Sequence, residues 1–428
     1  MGTSSIGRII SIDTYKIIAE LCLIEMEHKE VLKMKQINTG IKNLRALIVP
    51  MAAMAETSGP SSRCRLLAEG FRNVGIKTAV CMAKDPNYKE ISDIPNYYLD
   101  VPMPFGLPEF IASRTFPVAQ KLGIVSKKAV NSFDQVLYFT GNLDYRYLTK
   151  SVASIRKAIR EYKPDFIYSE FNISAIIAAK KENLPLYATV SYPTQHEFSH
   201  KTSLAKGLNK LLSDLHLPKV DSALKLFDWP EQKFCPSIRE LEPIEKPDVY
   251  YCGSFKSVKK MDFNRDKIVV YMGNGTVSAS KMLKVICKAF SNSSYEVFIA
   301  SSYLKEKTND NIHIAHRWDF NTLLDESVLF INHGGQNSIV DGLLHGVPQI
   351  VVPGKVFERK FNAKCITDTQ SGVTVEYKDF DEEHIRAAAN TVINSAIMIK
   401  NAEQLGRKLS ECGGINVIIN RIFCCLSP

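Results

Sequence analysis

Residues 328–363 decide the fold of this chain, and they read VLFINHGGQNSIVDGLLHGVPQIVVPGKVFERKFNA. The first five are an apolar run of strand length, which a histidine and two glycines end. From Ser338 the apolar residues recur at helical spacing until Gly346, and Pro348 prevents the helix from resuming. A second short apolar run, 349–352, follows at once. This order predicts a strand, a glycine turn, a helix and a strand, which together form a βαβ unit.

The glycine turn is suited to binding phosphate. Gly334 and Gly335 allow the backbone to approach a ligand closely, and the helix offers unpaired N–H groups and about half an elementary positive charge at its first turn. His333 can donate an imidazole N–H, and Ser338 can donate a hydroxyl. Asp341 shares a helix face with Ser338, where a short acid can accept hydrogen bonds from ribose hydroxyls. Alternatively, Ser338 and Asp341 form a capping box that only starts the helix.

A polar group follows the second strand of this unit. Glu358 and Arg359 are adjacent, and Asn362 comes shortly after them. Their side chains suit the hydroxyl groups of a sugar. The whole ordered set, from the histidine and glycines to this group, is a more specific signal than any one of its parts.

The ordered set resembles the nucleotide-sugar signature of the UDP-glycosyltransferase superfamily, whose members have the two-domain GT-B fold. The resemblance implies an α/β protein in which two doubly wound, Rossmann-like domains face each other across a cleft. It implies an N-terminal extension over 1–43, an acceptor-binding domain over 44–253, a linker over 254–266 and a nucleotide-sugar-binding domain over 267–428. The last helix is expected to cross back to the first domain.

The resemblance also assigns the donor site residue by residue. The expected contacts are, for the diphosphate, His333, Gly334, Gly335, Ser338, Gly273 and Asn274; for the nucleoside, Trp318 and Asp341; and for the donor sugar, Glu358 and Arg359. Trp318 has a large flat face that suits a base, although a tryptophan can also fill a core. Arg359 departs from the family, which has Gln at that position.

The acceptor side departs further from the family. Its members carry Gly-His in the first loop, and that histidine is the general base that deprotonates the acceptor; the aligned residues here are Gly59 and Pro60. Glu170 ends a strand where many members have the aspartate that orients this histidine. Glu170 is therefore one candidate base, if burial raises its pKa, and Glu56 in the first loop is a second. A structural or solvated acid is the alternative for each.

Length, composition and charge limit the class of protein. A chain of 428 residues is long for one domain and natural for two. Hydrophobic residues make up 45% and charged residues 23%, so each domain can bury a core. The net charge of +9 favours an anionic ligand or peripheral contact with an anionic membrane surface. No Lys/Arg block is dense enough to predict a nucleic-acid partner.

Cysteine spacing and hydropathy argue against several other classes. The ten cysteines are scattered, without a Cys-x-x-Cys pair or a cysteine–histidine cluster of zinc-ligand spacing. They are expected to be reduced thiols, and neither a metal nor a cofactor is predicted. No run of about 18 apolar residues occurs, so no transmembrane segment is expected. The N-terminus lacks a signal-peptide pattern, and the predicted location is the cytoplasm.

These observations predict a hexosyltransferase that moves a sugar from a nucleotide sugar to a hydroxyl or similar nucleophile of a small-molecule or lipid acceptor. The expected donor is a UDP-sugar, and the reaction is expected to be metal-independent and inverting, as in the family. Pro60 makes a non-catalytic, nucleotide-sugar-binding auxiliary protein the alternative. A sugar-nucleotide epimerase of the same fold is a third interpretation, because it also holds a diphosphate between two such domains.

Overall fold

The computed structural model describes residues 44–53, 58–84, 89–107, 130–258, 265–273 and 276–426. In this part of the chain the strands form two sheets of seven strands each, with helices packed against them. This is the predicted α/β class with two doubly wound domains. The predicted extension 1–43 and residues 259–264 of the predicted linker lie outside the described residues.

The first domain has a fully parallel sheet. Its strands are β1 (Arg45–Pro50), β2 (Lys77–Ala83), β3 (Asn96–Leu99), β4 (Phe166–Glu170), β5 (Leu186–Thr189), β6 (Gln232–Cys235) and β7 (Val249–Tyr251). Their order across the sheet is β3-β2-β1-β4-β5-β6-β7. Its α-helices are α1 (Ser58–Asn73), α2 (Phe133–Phe139), α3 (Tyr145–Tyr162), α4 (Ile173–Glu182) and α5 (Lys206–Asp214).

The second domain repeats this plan. Its strands are β8 (Lys267–Tyr271), β9 (Glu296–Ala300), β10 (Lys307–Asn309), β11 (Ile312–Ala315), β12 (Ser327–Asn332), β13 (Gln349–Val351) and β14 (Gly372–Thr374). The order is β10-β11-β9-β8-β12-β13-β14, and β10 alone of these strands is antiparallel to its neighbour. The helices are α6 (Ala279–Phe290), α7 (Phe320–Asp325), α8 (Gln336–Leu344), α9 (Phe357–Asp368), α10 (Glu382–Ile393), α11 (Ala396–Glu411) and α12 (Ile415–Leu426).

The strand orders place a crevice at the carboxyl edge of each sheet. In the first sheet the order reverses between β1 and β4, and in the second between β8 and β12, and ligands of open α/β sheets bind outside such switch points. Pro50 and Glu170 pair at the carboxyl end of the first pair of strands. Tyr271 and Asn332 pair at the carboxyl end of the second. Glu170 and the glycine turn after Asn332 therefore both lie at a switch point.

The last helix packs on the first domain. Ile418 and Ile422 of α12 share a buried cluster with Leu67 and Phe71 of α1 and Ile48 of β1. Burying a large aliphatic side chain contributes about 1.5–3 kcal/mol. Apolar packing thereby holds α12, which follows the second domain in sequence, against the first domain.

Among the described residues, one stretch, Ala396–Leu426, is long and apolar enough to cross a membrane. No transmembrane segment was predicted from the sequence, because charged residues interrupt this apolar run. In the structure Gly413 and Gly414, both with positive φ, separate α11 from α12. The case for a span rests on length and composition alone.

The domains also touch beside the start of α9. Val130 forms a bridge with Val356: its N–H donates to the Lys355 carbonyl at 3.3 Å, and its carbonyl accepts from the Phe357 N–H at 2.8 Å. The ring of Phe361 stacks on an aromatic ring of the first domain, Tyr192, with centroids 4.8 Å apart. The first turn of α9 is therefore enclosed by both domains.

Candidate functional site

The glycine turn after β12 is fixed by two side-chain amides. Asn332 Oδ1 accepts from the Gly334 N–H at 2.8 Å, and Asn362 Nδ2 donates to the Gly334 carbonyl at 2.8 Å. Gly334 has a φ of +81°, and a Cβ there would lie 2.9 Å from Val351, so glycine is required. Asn362 is buried behind the turn. This corrects the expectation that Asn362 contacts sugar hydroxyls, since its amide supports the backbone instead.

His333 lies between the two glycine loops of the second domain. A Cβ on Gly273 would come within 2.9 Å of the imidazole ring, and one on Gly335 within 2.7 Å of Nε2. The ring of Tyr271 meets the imidazole edge to face, with centroids 5.4 Å apart. The imidazole fills the space that side chains at either glycine would need, so the three residues are packed as one unit.

The His333 side chain is neutral, and one ring nitrogen lacks a partner. Burial lowers the pKa of His333 to about 3, helped by the guanidinium of Arg359 and opposed by the backbone of Tyr271. Nδ1 is buried and has no hydrogen-bond partner among the described residues. A buried polar atom left unpaired costs about 1–3 kcal/mol. Nδ1 therefore marks a place where a ligand can bind, as an acceptor or as a donor according to the tautomer.

Helix α8 begins two residues earlier than the sequence pattern suggested. Gly335 is its N-cap, and no side chain caps it. Ser338 is thus inside the first turn, which rules out the capping-box interpretation of Ser338 and Asp341. The N–H groups of this turn have no partner within the helix, and the helix dipole adds a partial positive charge. The start of α8 is therefore suited to binding an anion, and it lies next to His333.

Glu358 and Arg359 lie in the first turn of α9. Arg359 donates to the hydroxyl of Thr276, which connects α9 to the loop after β8. The carbonyl of Arg359 would lie 3.0 Å from a Cβ on Gly334. Burial raises the pKa of Glu358, opposed by the guanidinium groups of Arg359 and Arg63. The arginine that replaces the family's glutamine thus places a cation beside the glycine turn.

Asp341, the predicted ribose-binding acid, is paired with the linker. Lys256 Nζ lies 2.7 and 2.8 Å from its carboxylate oxygens. The pair lines a cavity of about 30 Å³ between α1, the linker and α8. Burial raises the pKa of Asp341, and Lys256 opposes the shift. Ribose hydroxyls at this place would have to share Asp341 with the ammonium group.

Trp318 lies at the carboxyl edge of the second sheet and is partly exposed. Its Nε1 donates to the Ile299 carbonyl at 3.1 Å, and its ring meets Phe298 edge to face at 5.2 Å. These contacts fix the indole by its N–H and one edge. The geometry is compatible with both predictions for Trp318, stacking on a base and filling the core.

Glu170 is fully buried, and both of its carboxylate oxygens are engaged. Arg63 Nε donates to Oε1 at 2.5 Å, and the Thr189 hydroxyl donates to Oε2. Burial raises the pKa of Glu170, opposed by Arg63 and Thr189. Arg63 continues across the domain boundary, where Nη1 donates to Asn337 Oδ1 at 2.7 Å. The predicted role of Glu170 as a base stays a prediction, whereas its geometry is that of a carboxylate that orients an arginine.

The other predicted residues of the acceptor side add little. Pro60 lies in the first turn of α1 and offers no proton-accepting side chain. Glu56, and Asn274 on the donor side, lie outside the described residues. No group of three metal-ligating side chains is arranged around a common point in the part of the chain that is described.

The sequence analysis missed Glu242, which lies between β6 and β7. Its side chain is 3% exposed; Oε2 accepts from the Tyr192 N–H at 2.6 Å, and Oε1 lies 3.4 Å from Nε2 of Gln336 in α8. Burial raises the pKa of Glu242 to about 8, with Glu358 adding to the shift and Tyr192 and Arg63 opposing it. No motif surrounds Glu242, so only the tertiary structure reveals it.

Comparisons with known sequences find relatives over part of the chain. The profile of the family described as "Erythromycin biosynthesis protein CIII-like, C-terminal domain" matches residues 296–413. The "Uncharacterized UDP-glucosyltransferase YdhE" of Bacillus subtilis (strain 168) is 24% identical over 178 residues, which cover 39% of this chain and 45% of that protein. The "NDP-glycosyltransferase YjiC" of Bacillus licheniformis is 23% identical over 172 residues, covering 39% and 43%. The chain thus spans less than half the length of these curated relatives.

Solved structures resemble the whole described fold. CalG4, the calicheamicin glycosyltransferase, has a TM-score of 0.69 at 14% identity and covers 90% of this chain and 100% of its own. The spinosyn rhamnosyltransferase SpnG complexed with thymidine diphosphate has a TM-score of 0.66 at 15% identity and covers 89% and 100%. At these identities the likeness concerns the fold, and it confirms the predicted GT-B class.

Proposed function

Since the chain belongs to the UDP-glycosyltransferase superfamily, we propose that it transfers a sugar from a nucleotide sugar, with a UDP-sugar as the expected donor, to a nucleophile of a small-molecule or lipid acceptor. The profile match in the second domain and the relatives named as glycosyltransferases support this activity. The observation that carries the proposal is the buried Nδ1 of His333, which lacks a partner among the described residues beside the uncapped start of α8.

The donor site of the proposal is the carboxyl edge of the second sheet. The diphosphate would accept hydrogen bonds from the N–H groups of the first turn of α8 and from the hydroxyl of Ser338. His333 would contact the diphosphate or a sugar hydroxyl through Nδ1. Trp318 would stack on the base, and Asp341 would bind the ribose. His333 and Ser338 are buried, which strengthens their polar contacts by excluding water, whereas Asp341 and Trp318 are partly exposed.

The proposed reaction is a substitution at the anomeric carbon. A lone pair of the acceptor oxygen attacks that carbon on the face opposite the diphosphate, and the bond from the carbon to the diphosphate oxygen breaks with its electron pair left on the diphosphate. The acceptor proton passes to a base or to solvent. The start of α8 and the imidazole of His333 stabilise the growing negative charge, and removing one such donor typically costs about 100-fold in rate. In the proposal these groups fill the role that other enzymes give to a metal ion.

Among the described carboxylates of the cleft, Glu242 has the properties best suited to accepting a proton. An effective base has a pKa near the working pH, and burial raises the pKa of Glu242 to about 8. Pro60 cannot accept a proton, and Glu170 already binds Arg63 and Thr189. Glu242 is therefore added to Glu170 and Glu56 as a candidate base.

Calorimetric titration with UDP-, dTDP- and GDP-sugars tests the donor site. We expect one class to bind and to raise the melting temperature, and His333→Phe, which keeps a ring but removes both nitrogens, to weaken binding about tenfold or more. If none of the three classes binds, the proposed function is wrong. If one binds equally well to His333→Phe, the site lies elsewhere.

A non-catalytic, nucleotide-sugar-binding protein is the second candidate, and Pro60 favours it, because the position of the family's base carries no proton acceptor. Release of free nucleotide in the presence of a panel of acceptors separates the two functions. Turnover that exceeds the rate without acceptor supports the transferase. Tight binding without release, in wild type as in Glu242→Gln, supports the auxiliary protein.

A further inference from the structure

A buried ion pair of the first domain reaches the donor site of the second. Glu170 is fully buried in the centre of its sheet, in register with Pro50 of β1 and Thr189 of β5. Arg63 Nε lies 2.5 Å from Glu170 Oε1, and the arginine side chain is 11% exposed. Two partners thus hold the carboxylate, so Glu170 fixes the orientation of the guanidinium and is itself closed to a ligand.

The guanidinium extends to the first turn of α8. Arg63 Nη1 donates to Asn337 Oδ1 at 2.7 Å, and Phe171 lies beneath the guanidinium with its ring centroid 5.4 Å from Cζ. Asn337 is the second residue of α8, so a cation of the first domain stands at the anion site of the second.

Arg63 has hydrogen-bond donors to spare. A guanidinium carries five N–H groups in a planar fork that matches phosphate oxygens. Acceptors among the described residues account for the Nε group and for one group on Nη1. The other three N–H groups, one on Nη1 and two on Nη2, remain, and Arg63 lines the same cavity as Gln336 and Asn337 at the start of α8.

We propose, on the basis of the function proposed above, that Arg63 binds the diphosphate of the donor from the acceptor domain and that Glu170 positions Arg63 for this contact. The diphosphate then lies between His333 and the start of α8 on one side and Arg63 on the other. An arginine stays protonated and cannot serve as a base. The Arg63–Glu170 pair, in which Glu170 stands where many family members have an aspartate, then supplies positive charge to the leaving group.

The test compares the binding of a nucleoside diphosphate with that of its monophosphate. Calorimetry gives the dissociation constants of UDP and UMP, or of dTDP and dTMP if wild type prefers them, for wild type, Arg63→Gln, Arg63→Lys and Glu170→Gln. We expect Arg63→Gln to weaken the diphosphate about 10- to 100-fold and the monophosphate much less, because a charge-assisted hydrogen bond is lost. Arg63→Lys should recover part of the loss, and Glu170→Gln should lie between wild type and Arg63→Gln.

Arg65→Gln is the matched control. Arg65 lies on the same helix but donates to the carbonyls of Lys89 and Glu90, away from the cleft, and its variant should bind both nucleotides as wild type does. An Arg63→Gln protein that keeps the wild-type ratio of diphosphate to monophosphate affinity overturns the proposal, even if its melting temperature falls. If Arg63→Gln does not fold, the ratio of diphosphate to monophosphate affinity is measured in Arg63→Lys and Glu170→Gln. A wild-type ratio in both variants overturns the proposal. If wild type binds none of UDP, dTDP and GDP, the proposed function itself fails.

Discussion

The donor side and the acceptor side of the cleft are built in different ways. On the donor side, the hydrogen bonds that fix the glycine turn join residues 2 and 28 positions apart. On the acceptor side, the bonds of Arg63 join residues 107 and 274 positions apart. One half of the site is therefore specified by a continuous stretch of sequence. The other half exists only when two domains have folded and met.

This difference has a functional counterpart. The donor side is preformed, because His333 is wedged between Gly273 and Gly335 and the turn is held without a ligand. The acceptor side is assembled by contacts to α8, namely those of Arg63 and Glu242. We expect substitutions that disturb the packed glycine turn to weaken nucleotide binding more than substitutions on the acceptor side.

Gly335→Ala, on the donor side, should weaken nucleoside diphosphate binding most. The new Cβ would lie 2.7 Å from Nε2 of His333, and Gly273 closes the opposite side of the ring, so the imidazole cannot move away. Overpacking of this kind costs about 1–3 kcal/mol and displaces the donors of the turn. We expect nucleoside diphosphate binding to fall about 100-fold or more, as measured by calorimetry.

Gly59→Ala is the control for this substitution. A Cβ on Gly59 would meet Asn337 and Arg63 only at 3.7 Å or more, which is ordinary contact. Its melting temperature should match that of wild type, and its nucleotide affinity should change far less than that of Gly335→Ala. If Gly335→Ala and Gly59→Ala bind the nucleoside diphosphate equally well, the packing of His333 between the glycines does not fix the donor side.

Glu242→Gln tests the acceptor side through pH. The pKa of Glu242 is raised from 4.5 to about 8 in the folded protein, so the folded state holds a proton that the unfolded state has lost. The stabilisation is complete below the unfolded pKa and disappears as the pH rises through the folded value. The free energy of unfolding should therefore fall by about 2 kcal/mol between roughly pH 6 and pH 8 through this group, and Glu242→Gln should remove that fall.

Urea unfolding at several pH values measures this effect. The difference between Glu242→Gln and wild type should grow in favour of the variant as the pH rises. The donor side offers the contrast. Burial lowers the pKa of His333 to about 3, so its folded-state imidazole stays uncharged over the whole range from pH 6 to pH 8. Parallel curves for the two proteins would show that Glu242 does not carry the proton.

The same contrast explains what the sequence could predict. The βαβ unit and the positions of His333, Gly334 and Gly335 in its turn follow from local patterns of apolar residues and glycines. Arg63 and Glu242 sit in segments without a motif, and their importance comes from partners in the other domain. Asn362 lies within the continuous donor stretch, but its contact with the Gly334 carbonyl forms only when α9 packs against the turn, which residue spacing does not give.

Trp318→Leu sharpens the description of the donor side. If the indole stacks on the base, its loss should weaken UDP binding about tenfold, since stacking on one base is worth about 1–3 kcal/mol. Inhibition by inorganic pyrophosphate, which has no base, should be unchanged. An unaltered UDP affinity with a lower melting temperature would instead assign Trp318 to the core, against Phe298 and the Ile299 carbonyl.

The smallest effect is expected at the linker, where the two sides meet. Lys256 binds both carboxylate oxygens of Asp341, so Lys256→Met frees Asp341 for the ribose while removing a partly exposed ion pair worth about 0.2–1 kcal/mol. We expect the affinity for UDP, relative to a dideoxyuridine diphosphate that lacks both ribose hydroxyls, to rise by about two- to fivefold. Lys364→Met, which removes the exposed pair with Asp368 on α9, should leave this ratio unchanged. An unchanged ratio in Lys256→Met would mean that Asp341 pairs with the linker and does not bind the ribose. Ser338 would then be the last residue of α8 in the donor site.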